Sequence, residues 1–171
     1  MNHRLARLAL PMLVVSMLSA CTATPPRQAA PVPVGDMLAA IHAAGRSEES
    51  VLSIMPLRPA SLTLLLQQAR SQTIRGNARA AAEALGRAHA VAPDDPEVLQ
   101  LQAENAIRLH EFARAETLAR QSWSAGSKVG ALCARNWQTV YQLRRLAGDA
   151  SGMAAAERAQ AECHKPGIKR M

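Results

Sequence analysis

The sequence predicts an all-α fold built from about three stacked helix–turn–helix hairpins, and three observations carry that expectation. Alanine is abundant, while Phe112, Trp123, Trp137 and Tyr141 are the whole aromatic complement; small side chains of this kind let helices pack closely. Laid against itself at an offset of 34, the chain places Leu65 over Leu99, Ala69 over Ala103, Ala81 over Ala115 and Ala88 over Ser122. Gly76-Asn77 and Gly148-Asp149 supply turn residues at equivalent places. A plain alanine-rich bundle would reproduce some of these matches by chance, and the recurring turn residues together with Pro93 separate the two readings.

Taken in order, residues 1–20 have the layout of a cleavable secretory signal: Arg4 and Arg7, an apolar run from Leu8 to Leu18, then the small pair Ser19-Ala20 before Cys21. An uncut transmembrane anchor is the alternative, but the run of about 11 residues is short of the ~20 a spanning helix needs, and Pro11 interrupts it. Leu18-Ser19-Ala20-Cys21 resembles the lipobox of bacterial lipoprotein precursors. The resemblance implies that Cys21 is lipidated and becomes the first mature residue. Because Thr22, not Asp, follows it, it also implies an outer-membrane location facing the periplasm. Residues 21–35 then form the lipidated cysteine and a proline-rich tether with Pro25, Pro26, Pro31 and Pro33, held extended by the fixed φ of proline; a proline-rich docking motif is the other reading. Over residues 36–61 two short helices are expected, one carrying Met37, Leu38 and Ile41, the other Val51, Leu52, Ile54 and Met55 after Glu48-Glu49, ending near Pro56 and Pro59.

The repeat domain is expected over residues 62–168. Its period and its marks resemble the tetratricopeptide repeat: a large and a small residue in the first helix, a small then a large one in the second, and a closing proline. In the first copy these fall on Leu65, Ala69, Ala81, Leu85, Ala88 and Pro93. The second copy starts at Asp94-Asp95-Pro96-Glu97, with an N-cap candidate, a proline suited to the first helical position and an acid for the helix dipole. It turns at His110-Glu111 before Phe112, and Ser122 stands in place of alanine. A third copy needs about four inserted residues, placing Trp137 in the first helix, Gly148-Asp149 at the turn, and Met153 and Glu157 at the small and large positions of the second helix. The resemblance implies a right-handed superhelical array whose first helices line a concave groove for an extended peptide or a partner helix. Its inward positions fall on Leu66, Gln67, Arg70 and Thr73 in the first copy. They fall on Gln100, Glu104 and Arg108 in the second, and on Gln138, Gln142 and Arg145 in the third. A solvated polar face is the alternative for these residues.

With Cys21 taken by lipid, Cys133 and Cys163 remain, an even number in a compartment that permits disulfides. Cys133 begins the first helix of the third hairpin and Cys163 ends the second, so antiparallel packing brings them together. No Cys-x-x-Cys spacing is present to favour a redox role.

Catalytic and metal patterns are missing from the sequence. His42, His89, His110 and His164 are isolated, and Cys163-His164 lacks further ligands at zinc spacing. No enzymatic activity, cofactor or metal is expected. The net charge of +7 falls to +5 when residues 1–20 take Arg4 and Arg7 away, leaving 18 basic against 13 acidic residues. That mild, dispersed excess without aromatic platforms argues against nucleic acid as a partner. The expected function is a lipid-anchored periplasmic scaffold binding another envelope protein, in the manner of tetratricopeptide lipoproteins that support secretion, pilus or cell-wall machinery. The alternatives are a passive lipoprotein that meets polyanionic envelope polymers and a non-catalytic subunit of a cell-wall enzyme.

Overall fold

The computed structural model describes residues 32–48 and 57–164. The signal segment, Cys21, most of the tether and the apolar stretch Val51–Met55 lie outside the described residues. Seven helices and no strands occur among those described: α1 (Val34–Ser47), α2 (Ala60–Ile74), α3 (Ala78–Val91), α4 (Pro96–Arg108), α5 (Phe112–Ala125), α6 (Ala131–Leu146) and α7 (Ala150–Ala161). None of them is long and apolar enough to cross a membrane.

Three hairpins, α2/α3, α4/α5 and α6/α7, stack into a helical repeat array. Each turns through one residue with positive φ at the same place: Gly76 at 77°, His110 at 60° and Gly148 at 69°. Glycine reaches this left-handed conformation without a Cβ clash, so the middle hairpin uses a strained substitute. The residues matched at the 34-residue offset lie in the seams between helices. Ala69, Ala81, Ala88, Leu99, Ala103, Ala115 and Ser122 are all buried. The odd hydroxyl among them is satisfied, since Ser122 Oγ donates to the Pro96 carbonyl at 2.6 Å. Helix α4 starts as its sequence requires, with the Asp95 carboxylate accepting from the backbone N–H groups of Glu97 and Val98 at 2.9 and 3.0 Å, which satisfies donors the first turn leaves open.

The third hairpin corrects one expectation. Met153 is only half-buried and Glu157 is exposed, whereas Ala156 is buried against Ala103, Ala119 and Val140. The tight α6/α7 seam admits a methyl group and excludes the larger side chains the shifted alignment put there. Cys133 and Cys163 are joined by a disulfide with Cα atoms 5.6 Å apart. Beside it the Gly130 N–H donates to the Cys163 carbonyl at 2.9 Å, tying the two ends of the hairpin.

Helix α1 is the first of the two short helices expected in residues 36–61, and the second, over residues 51–55, lies outside the described residues. Helix α1 starts earlier than expected, at Val34 directly after Pro33, and runs for 14 residues. Its apolar face (Met37, Leu38, Ile41) packs into a core cluster with Ala106, Ile107, Ala115 and Leu143. It therefore lies across the second and third hairpins, along α6 and α4. Among the described residues helix α2 has only α3 as an extensive neighbour, and Leu64 on it and Leu57 just before it are exposed.

Candidate functional site

Where α1 crosses the array it covers part of the expected groove. Glu104, on α4, is buried and gathers three side chains around its carboxylate. Arg135 of α6 donates at 2.5 and 3.1 Å, Gln100 at 3.0 Å, and the His42 ring of α1 sits 2.9 Å away. Burial by itself would raise the pKa of this carboxyl; the hydrogen bond from His42, the Arg135 charge and the Gln100 amide outweigh it and hold the group at about 2. Gln100 also donates to Thr139 Oγ1 at 2.9 Å, extending the network to α6. Gly45 makes the crossing possible, since a Cβ there would stand 2.8 Å from Cγ and Cδ of Arg135.

Beyond the edge of α1 the groove stays open. A cavity of about 440 Å³ lies between the end of α1, helix α2 and helix α4, with Ala69, Leu85 and Leu101 among its apolar lining and Arg46, Arg70 and Arg108 among its cations. Thr73 and Ile74 belong to the same wall, and Ile74 is 86% exposed. Its lower end is braced by an ion cluster. Arg58, ahead of α2, donates to Asp95 at 2.9 Å and to Glu97 at 2.6 Å, and Arg70 pairs with Glu97 as well. Burial alone would lower the Arg58 pKa, but the two carboxylates raise it.

The ten positions expected to face a partner divide accordingly. Arg70, Thr73 and Arg108 line the open cavity together with the buried Glu104, and Gln67 is exposed on the same helix as Arg70. Leu66, Gln100, Glu104 and Gln142 are buried, at 2, 0, 2 and 3% exposure. Leu66 belongs to the core of the first hairpin, and Glu104 is spent on α1 and α6. Buried in this way, these four have no free surface to offer a partner. Gln138 lines a separate concavity of about 450 Å³ with Glu48, Tyr141, Glu157 and His164, and Arg145 is exposed outside both concavities. Sequence reasoning missed Arg46, His42 and Arg135. The signal that could have found them is the apolar face of α1, which needs a partner surface and finds it on the array's first helices.

No three His, Cys, Asp or Glu side chains converge as a metal site would require among the described residues. No protein-family model and no curated protein matches the chain. A solved structure, the globular C-terminal domain of P. aeruginosa LpoP, is similar to it, with 32% sequence identity and a TM-score of 0.55. The match covers 61% of this chain and 99% of that domain.

Proposed function

Because this chain belongs to the family of the globular C-terminal domain of P. aeruginosa LpoP, we propose that it is a non-catalytic binding module of the bacterial envelope, anchored through Cys21, whose groove receives a segment of a cell-wall enzyme. The single observation that carries this reading is the open cavity between α1, α2 and α4, where exposed and half-buried polar side chains surround an apolar floor. Such a mixture suits a polypeptide, which needs both backbone hydrogen bonds and places for side chains. The lipobox at Leu18–Cys21 and the prolines behind it supply the rest of the mechanism. A diacylated cysteine anchors stably without a spanning helix. A proline-rich chain reaches ~3.1 Å per residue, so the stretch behind Cys21 would let the groove stand up to roughly 40 Å from the bilayer. Confinement to that layer raises the effective concentration of the groove, so a weak contact suffices for recruitment.

The test is a pull-down from crosslinked envelopes comparing native protein with the double variant Arg46→Glu plus Arg70→Glu, and with Arg114→Glu plus Arg120→Glu on the opposite face as the control. Loss of one cell-wall enzyme from the first variant only is the expected result; equal recovery of that enzyme by all three would refute groove recognition.

A further inference from the structure

The open half of the groove carries positive charge that its own carboxylates do not neutralise. Glu97 is taken by Arg58 and Arg70, and Glu104 by Arg135 and His42. Among the described residues, Arg46 and Arg108 have no carboxylate within ion-pair distance. Arg108 donates only to the Glu104 carbonyl one turn back, at 3.2 Å. It is half-buried, and burial, which outweighs the charge of Glu104, lowers its pKa. A cation in this position is short of counter-charge and of acceptors, and a carboxylate supplies both through its two oxygens. Leu85 and Leu101 line the same cavity, and Ile74 stands exposed at its rim.

We propose, building on the partner-binding reading of this groove, that its occupant is an extended acidic segment of the partner protein. An Asp or Glu of that segment meets Arg108 and Arg46, and an adjoining aliphatic side chain rests on Leu101 and Ile74. The charge of the groove selects the segment and its apolar floor holds it, which separates a protein ligand from a purely anionic polymer. The polymer would use the cations alone and be released evenly by salt.

The probe is a library of random octapeptides displayed on phage and selected on the full chain in detergent micelles; the strongest binder is then synthesised in its native form and with the acidic residue changed to Gln. Selected peptides are expected to carry an acidic residue beside an aliphatic one. The Gln peptide and the Arg108→Gln protein should each bind about tenfold more weakly, and the two changes combined should cost little more than either alone. Arg46→Gln, at an exposed site, gives the same reading if Arg108→Gln does not fold. A selection without acidic enrichment, no binder at all, or a Gln peptide that binds equally well would overturn the proposal. So would polyglutamate binding that ignores Arg108. If an envelope protein still crosslinks at Ile74 in that event, the groove stands as the partner site and only its carboxylate chemistry falls.

Discussion

Glu104 sits where three helices meet, and its chemistry sets a measurable pH dependence. Its carboxyl titrates at about 2 in the folded protein against 4.5 for a free glutamate. A depressed folded pKa contributes stability that is complete above the unfolded value and disappears as pH falls through the folded one. Glu104 therefore stabilises the fold above about pH 4.5, by on the order of 3 kcal/mol, and that contribution fades between pH 4.5 and 2. Glu104→Gln leaves Arg135 without its counter-charge and should cost about 2 to 4 kcal/mol at pH 7. Urea denaturation at pH 7, 4 and 3 checks both statements, since the difference between native and variant protein should shrink as the pH drops; a constant difference would show that Glu104 is not held ionised by its neighbours. Residue identities in the groove were legible in the sequence, but not their availability. The repeat resemblance marks Gln100, Glu104 and Gln142 as inward positions, and each is buried. Nothing in a 34-residue period says that a helix preceding the array will lie on it.

At the scale of elements, the hairpins were readable because their constraints are local. Gly76, His110 and Gly148 share one turn conformation, Asp95 and Pro96 start α4, and alanines mark the tight seams. The third hairpin was harder because its second-helix register slips, so that Ala156 takes the seam in place of Met153 or Glu157. The disulfide offsets that degeneracy. Cys133 and Cys163 lie 30 residues apart, and closing a loop of that length stabilises by about 3 to 4 kcal/mol in the chain-entropy model. Guanidinium denaturation of the native protein and of Cys133→Ser plus Cys163→Ser should differ by that amount, and reductant should lower the native protein toward the variant. Thiol titration of unreduced, periplasmically expressed protein should find neither cysteine free; two reactive thiols would mean that α6 and α7 are held by packing alone. Helix α1 escaped the repeat logic because its partner surface is distant in sequence: His42 reaches Glu104 across 62 positions.

Over the whole molecule, the array carries a groove partly filled by the chain's own first helix, and the anchor we propose at Cys21 would present that groove to a partner. α1 packs across the second and third hairpins, and the open part of the groove lies between its end, α2 and α4, which is where we place the partner. Site-specific photocrosslinking in living cells tests this most directly, with a crosslinking amino acid placed in the full-length protein at Ile74 in the cavity wall or at Gln121 on the opposite face. One dominant adduct with an envelope protein is expected from Ile74, weakened by Arg46→Glu plus Arg70→Glu, and none from Gln121. The same adduct from both positions, or one from Gln121 alone, would contradict a partner in the groove.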